Sequence, residues 1–309
     1  MSNKVDKIEG IVSATPTPLD ADGRVDRVAV ARLIESLIEG GATGIAPIGG
    51  TGEATALTRR QKREMLDATI DAVAGRLPVI AGLLSPGLGD TLEEAEDYAK
   101  AGADMLMLVT PYYARATEQG VVDYFKRVSD SVDLSLMLYE IPYRTGIQLT
   151  LDTLVALADE TSVTAMKACS ADLRYQMQTV ELIGDRVSIL TGQEDVFPLH
   201  MAMGAKGGVL AGSCIIPKLW NQIYDLCVEG RNTEALALHQ EIMPFLSLLY
   251  SEHNPGPLKA ALELMGQPQG GCVPPLLDAS PELIEKLKIA LPAILEKEKS
   301  AVLQKKPLI

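Results

Sequence analysis

Eight short apolar runs, each followed by a longer stretch with helical spacing, fill most of the first 230 residues and constrain the fold more than any single motif. The strand candidates are Gly10–Ala14, Gly44–Ile48, Val79–Leu84, Met105–Thr110, Leu134–Tyr139, Val163–Cys169, Val187–Thr191 and Gly208–Ala211. Between and after them, Arg27–Glu39, Thr58–Ala74, Thr91–Ala101, Thr117–Ser131, Leu151–Asp159, Asp172–Ile183, Asp195–Met203 and Lys218–Glu229 carry helical patterns. Strands alternating with helices predict a parallel sheet, and eight such units predict an α/β fold of the (β/α)8 TIM barrel type. Small-residue pairs at Gly40-Gly41, Ala101-Gly102 and Gly207-Gly208 suit helix ends feeding buried strands. A doubly wound open sheet is the structural rival, but its G-x-G-x-x-G fingerprint is missing between the first strand and first helix.

The spacing predicts two regions, a barrel over 1–230 and a helical appendage over 231–309, with helices at Glu234–Ser251, Leu258–Met265 and Pro281–Glu298. Asn254-Pro255-Gly256-Pro257 reads as a stiff turn, its prolines fixing φ and its glycine permitting a sharp reversal. The charged tail Glu296–Pro307 reads as a frayed, solvated end.

Composition excludes several function classes. Lys+Arg 28 against Asp+Glu 41 gives a net charge of -13, and no basic cluster offers a surface to nucleic acid. Mean hydropathy is +0.13, yet the strongest apolar runs fall far short of the ~20 residues that span a bilayer, so a soluble protein is expected. The 4 cysteines, Cys169, Cys214, Cys227 and Cys272, form no C-x-x-C pair, which argues against disulfide and zinc frameworks and for reduced cytosolic thiols. Met1–Gly10 lacks the apolar core of an export signal, and a cytoplasmic location is expected. The 3 histidines, His200, His239 and His253, are dispersed and read as surface or packing residues. Neither metal nor cofactor is expected.

Active sites of barrels of this kind lie at the C-terminal strand ends, so polar residues inside or just beyond apolar runs draw attention. Lys167 stands within Val163–Cys169, where a strand buried on both faces should be uniformly apolar. An ordinary lysine titrates near ~10.4, and lowering that by roughly three units takes about 4 kcal/mol, within reach of burial. Such an amine attacks a ketone to form a Schiff base. A structural lysine reaching a carboxylate is the alternative; placement in mid-strand favours catalysis.

Tyr139 closes the preceding strand, where a phenol can relay protons or simply pack at the rim. Arg144 follows in a loop stiffened by Pro142 and closed by Gly146, suited to a substrate carboxylate or to a surface ion pair. Gly49-Gly50-Thr51-Gly52-Glu53 lets backbone N–H groups approach a small anion, or forms a tight turn. Thr110-Pro111-Tyr112-Tyr113 suits rim packing or a subunit contact. Gly192-Gln193-Glu194-Asp195 reads as a charged helix N-terminus.

Together these segments resemble the dihydrodipicolinate synthase / N-acetylneuraminate lyase family of class I aldolase-type enzymes, over nearly the whole chain. Gly49–Glu53 is similar to that family's G-[TS]-T-G-E, Thr110–Tyr113 to its T-P-Y-Y, Tyr139–Gly146 to its Y-N-x-P-x-R-T-G, and Asn254–Lys259 to its N-P-x-P-x-K. The resemblance implies that Lys167 forms an imine with pyruvate or a related 2-oxo acid, whose carboxylate Gly50 and Thr51 hold, with the Leu210 carbonyl lining the pocket. It implies that Tyr139 relays protons, that Tyr113 reaches a neighbouring subunit in a dimer of dimers, and that Arg144 binds the second substrate's carboxylate. The activity it favours is condensation of pyruvate with aspartate 4-semialdehyde, a step of lysine biosynthesis.

The chain departs from that pattern at Gly50, where the synthases carry a threonine linking two tyrosines, and at Glu140, in place of asparagine. Lys167 is also followed by Ala168-Cys169-Ser170 rather than Glu-Ala-Thr or Glu-Ala-Ser. The Gly-Gly-Thr-Gly-Glu form resembles sugar-acid dehydratases of the 5-dehydro-4-deoxyglucarate type, which sets a 2-oxo sugar-acid aldolase or dehydratase as the second expectation. A 2-oxo acid sensor is the non-enzymatic one. Ala54, Thr55, Arg59 and Lys62 replace residues that bind inhibitory lysine in some synthases, and two cations there predict no inhibition by lysine.

Overall fold

The computed structural model describes Val5 and residues 7–301. Its elements run β1 (Gly10–Ala14), α1 (Arg27–Glu39), β2 (Gly44–Ala46), α2 (Arg59–Val73), β3 (Ile80–Leu83), α3 (Leu88–Ala101), β4 (Met105–Val109) and α4 (Glu118–Ser131). They continue with β5 (Ser135–Glu140), α5 (Pro142–Thr145), α6 (Leu151–Glu160), β6 (Val163–Ala168), α7 (Leu173–Ile183), β7 (Ser188–Thr191), α8 (Phe197–Ala202), β8 (Gly207–Leu210) and α9 (Pro217–Val228). The chain then forms α10 (Asn232–Leu249), α11 (Gly256–Leu264) and α12 (Pro281–Ser300).

The strands make one parallel sheet in the order β2-β1-β8-β7-β6-β5-β4-β3, and a parallel bridge between Ile45 and Val79 brings its two ends together. This is the expected TIM barrel with C-terminal helices. Because side chains alternate across each strand, every strand feeds two apolar layers. Val12, Met107, Met137, Ala165 and Leu190 fill the barrel, while Ile11, Leu106, Leu138, Met166 and Ile189 pack under the helices.

Local chemistry sets the helix starts. Asp26, Thr58, Thr117, Thr150 and Asp172 each accept backbone N–H groups of the first turn, and Thr58 with Gln61 completes a capping box. The expected helix at Asp195–Met203 is instead a 3-10 turn over Glu194–Val196 running into the short α8.

Two expectations about the C-terminal region need correction. Residues 296–300 continue α12 rather than fraying, because Glu298 is buried and its carboxylate accepts the N–H groups of Lys218 and Leu219 at the start of α9. Residues 302–307 of the expected tail lie outside the described residues. At Asn254–Pro257, Gly256 starts α11 without a left-handed φ; its glycine is needed because a Cβ would lie 2.6 Å from the Leu277 carbonyl. The C-terminal helices share the barrel's outer core: Trp220 of α9 packs edge-on to Phe197 of α8 at 5.3 Å and to His239 of α10 at 5.9 Å. Among the described residues no helix is long and apolar enough to cross a membrane.

Candidate active site

At the C-terminal ends of the strands lies a cavity of about 220 Å³. Its wall includes Gly50, Thr51, Tyr139, Arg144 and Lys167, five residues expected from the sequence, now drawn together from the ends of three strands and their loops.

Lys167 owes its place to strand alternation. Ala165, Lys167 and Cys169 point inward while Met166 and Ala168 point out, and the register sets Lys167 beside Tyr139 of β5 and Leu190 of β7. The side chain is 8% exposed, and its Nζ stands 4.6 Å from the centre of the Tyr139 ring. Among the described residues no carboxylate forms an ion pair with it. Burial, the largest cause, holds its ammonium below the usual lysine range; Cys169 opposes it, the Arg144 charge acts in the same sense as burial, and Glu194 opposes it least. The stem fits because residue 192 is glycine: a Cβ there would stand 2.2 Å from Cys169 Sγ and 3.0 Å from Lys167 Cε.

Burial also pushes the Tyr139 phenol well above 10, so it carries its proton at neutral pH. Gly50 faces this phenol, and a Cβ there would lie 3.7 Å from Tyr139 Oη but only 3.2 Å from Arg144 Nη1. The space a hydroxyl-bearing side chain would take is therefore filled by the guanidinium. Beside it, the N–H groups of Gly50 and Thr51 have no hydrogen-bond partner among the described residues, and Asn254 Nδ2 donates to Thr51 Oγ1 at 3.1 Å. Positive φ at Ile48 (50°) and Glu53 (59°) bends this loop. Glu53 anchors it through a buried ion pair to Lys259 Nζ at 2.5 Å and by accepting Val273 N–H at 2.7 Å.

The remaining two expected residues stand elsewhere. Leu210 packs in the outer layer and its carbonyl accepts the Ser213 hydroxyl at 2.8 Å; Val209 and Ala211 supply that part of the wall. Tyr113 is 88% exposed and does not line the cavity of its own chain.

The structure adds residues that sequence reasoning did not place there. Glu194, expected as a helix-start charge, turns inward to line the cavity: its Oε1 accepts Gly212 N–H at 2.8 Å and the Tyr250 hydroxyl at 2.7 Å. Burial raises its pKa, against those hydrogen bonds. Tyr250, Glu252, His253 and Asn254 reach the cavity from the C-terminal region. The acidic pair at Glu194-Asp195 and the Asn254 motif are visible in the sequence; that Glu194 and Asn254 face Lys167's cavity is not. Among the described residues no cluster of His, Cys, Asp and Glu could hold a metal.

An unpaired buried amine, a protonated phenol, a guanidinium and two unengaged backbone donors around one cavity can bind a carboxylate and condense with its neighbouring ketone. Comparison with known proteins agrees with that chemistry. Residues 7–294 match the sequence profile of the Dihydrodipicolinate synthetase family. The chain is 34% identical over 259 residues to the 4-hydroxy-tetrahydrodipicolinate synthase of Pelobacter propionicus, covering 84% of this chain and 89% of that one. With the synthase of Exiguobacterium sibiricum it is 34% identical over 272 residues, 88% and 93% of the two chains. Among solved structures, the synthase of Methylacidiphilum fumariolicum superposes with a TM-score of 0.91 at 31% identity, over 96% of this chain and 98% of that one. The pyruvate complex of the Acinetobacter baumannii synthase gives 0.89 at 29% identity, over 96% and 100%.

Proposed function

This chain belongs to the dihydrodipicolinate synthetase family of class I aldolase-type lyases, and on that premise we propose that it is a 4-hydroxy-tetrahydrodipicolinate synthase, condensing pyruvate with aspartate 4-semialdehyde. One observation carries this reading: the Lys167 amine is buried, without an ion pair among the described residues, and open to a cavity that also presents Arg144.

The Lys167 nitrogen attacks the C2 carbonyl of pyruvate; the new C–N bond displaces water, and Tyr139 passes the protons that make oxygen a leaving group. The N–H groups of Gly50 and Thr51 hold the pyruvate carboxylate. The protonated imine draws electrons as a C3 proton leaves, and the enamine then adds through C3 to the aldehyde of the second substrate, whose carboxylate Arg144 holds. No step requires a cofactor. Support for an assembled dimer of dimers comes from Tyr113, whose exposure suits a reach into a neighbouring subunit's site. A cytoplasmic location accords with four free cysteines.

The second reading, a 2-oxo sugar-acid aldolase or dehydratase, is favoured by position 50, where Arg144 rather than a hydroxyl stands beside Tyr139. Borohydride trapping with pyruvate, read by intact mass, is expected to add one reduced pyruvyl group to the wild type and none to Lys167→Ala. An unmodified wild type would overturn the imine and favour a 2-oxo acid sensor. Turnover of aspartate 4-semialdehyde against a panel of 2-oxo sugar acids then separates the two enzymatic readings.

A further inference from the structure

The last residue of β5 is a carboxylate where strand chemistry would place an apolar side chain. Alternation turns Tyr139 into the cavity and Glu140 out of it, into a fully buried position opposite Ala168. There Glu140 Oε1 accepts two donors, Leu149 N–H at 3.0 Å and the Tyr175 hydroxyl of α7 at 2.7 Å. Residues 140 and 149 are the two ends of the loop that carries Arg144. Its outer part is a tight turn, with Arg144 N donating to Ile141 O at 3.0 Å and Gly146 N to Pro142 O at 2.8 Å. The next amide, Thr150 N–H, goes to Glu118 of α4 at 3.3 Å. Consecutive amides at the loop's return are thus held by two acids, one inside and one at the surface.

We propose that Glu140 is a positioning residue for the second substrate: its carboxylate closes the Arg144 loop and sets where the guanidinium stands in the cavity. This rests on Arg144 binding a carboxylate there. The loop is also held by its own turn, by Glu118, by a Ser170 hydroxyl donating to Gln148 Oε1 at 3.5 Å and by the buried Ile141 and Leu149. A further tie at its return matters because placement errors of about 1 Å at a binding group can cost ~100-fold in rate. A charged acceptor holds an N–H and an O–H more firmly than the neutral asparagine of the family motif.

The grip depends on ionisation. Burial pushes Glu140 up to about 7, against the hydrogen bonds from Tyr175 and Leu149, while the Glu118 charge adds to the rise. The titratable groups facing it are Tyr175 from α7, Glu118 from α4 and Cys169 just after β6. Burial raises Tyr175 far above its usual range and Cys169 to about 11, so both keep their protons near neutrality. The charged acceptor is therefore present above about pH 7; below it Oε2, which has no hydrogen-bond partner among the described residues, takes the proton, and Oε1 meets both donors only as a neutral, weaker acceptor. Fold stability runs the other way: a carboxyl with a raised folded pKa takes up protons on folding, so its contribution falls as pH rises through that window.

The test compares wild type, Glu140→Gln and Glu140→Ala. Glu140→Ala should raise KM for aspartate 4-semialdehyde about tenfold while kcat and the pyruvate KM stay within about threefold. In the wild type that KM should fall several-fold from pH 6 to 8, and Glu140→Gln should be flat over the same range. Wild-type KM values and pH profile in both variants would overturn the proposal, as would equal loss toward both substrates in parallel with melting temperature. If the wild type does not turn over aspartate 4-semialdehyde, the functional reading fails separately. The rate at which phenylglyoxal labels Arg144, followed by peptide mass, then decides: a threefold or larger change in Glu140→Ala upholds the positioning role, and an unchanged rate overturns it.

Discussion

Among the described residues three lysines are buried, and they divide two against one. Lys259 and Lys62 are 3% and 8% exposed and each meets a buried carboxylate, Glu53 at 2.5 Å and Glu94 at 2.7 Å. Lys167 is as buried as Lys62, yet among the described residues no carboxylate forms an ion pair with its nitrogen, Glu194 across the cavity acting on it only weakly. The same residue type at the same depth thus does opposite work. A paired ammonium fastens two segments: Lys259 ties α11 to the strained loop after β2 and also donates to Gly271 O at 3.0 Å. An unpaired one pays for burial by giving up its proton more readily, which is what a nucleophile needs. Depth alone does not mark a catalytic lysine; the absence of a partner beside a cavity does.

Swapping each amine for an isosteric apolar chain should break the comparison most sharply. Lys167→Met should lower turnover by at least about 10⁴-fold and abolish the borohydride adduct, while leaving the melting temperature at pH 7 unchanged or higher. Lys259→Met should do the reverse. It strands Glu53 as a buried, unpaired charge, a loss of about 3–5 kcal/mol, with imine formation retained in the protein that stays folded. If Lys167→Met unfolds the chain while Lys259→Met is silent in thermal melts, the division of roles fails.

Much of this contrast was legible in the sequence, and the part that was not has a physical cause. Val163–Cys169 shows a lysine inside an otherwise apolar run, and period-two alternation then dictates that Lys167 and Cys169 share the inward face. The strands were readable because both faces are buried. Whether a buried charge has a partner depends on segments far apart in the chain. Glu53 and Lys259 are separated by strands β3 to β8 and their helices, so neither the loop motif nor the Asn254–Lys259 motif signals that they meet. Glu194 is a case of the same kind: local spacing marks a helix start, and a 3-10 turn does begin there, whereas its inward turn follows from Gly212 N–H and Tyr250, which belong to later segments. At the end of α12 charge density predicts solvation, and Glu298 is an exception made by the amides of α9.

Space around the unpaired amine is the next lever. Gly192→Ala puts a methyl group 2.2 Å from Cys169 Sγ and 3.0 Å from Lys167 Cε, so the lysine stem must shift. Displacement of a reacting atom by part of an ångström should cost about 10- to 100-fold in kcat with little change in melting temperature. Gly192→Ala, Cys169→Ala should recover much of that loss, since the sulfur is the nearest obstacle. Failure of the double variant to recover would mean that the glycine serves the backbone rather than the lysine.

A smaller effect concerns pH. Below its folded pKa, Lys167 loses about tenfold in free amine per pH unit, so the initial rate of imine trapping should rise with pH and level off before the ordinary lysine value of 10.5. For stability the sign is also fixed. Between the lowered folded pKa and 10.5 the unfolded chain binds more protons at this site than the native one, so stability gains a component that grows with pH. Lys167→Met should lack that component, and Lys62→Met should retain it. An imine rate that keeps rising past pH 10.5 would show an amine no different from one in water.

The smallest effect expected is the response to free L-lysine, and it tests the paired side of the comparison. Lys62 Nζ already occupies Glu94 Oε1 at 2.7 Å, and Ser85 donates to the other oxygen at 2.7 Å. Arg59 likewise holds Asp90 and Glu93, each at 2.5 Å. The two cations are therefore not bare charges that repel a ligand; they have taken the acids that an incoming ammonium would need. A free amino acid would have to displace Lys62 and leave that ammonium without a partner, and millimolar L-lysine should change turnover by less than about twofold. Lys62→Ala opens the same carboxylate to an external ammonium, so sensitivity to L-lysine should appear in that variant, as a rise in melting temperature with added lysine even where turnover is unaffected. Strong inhibition of the wild type, or no response in Lys62→Ala, would show that Glu94 is not what excludes the ligand.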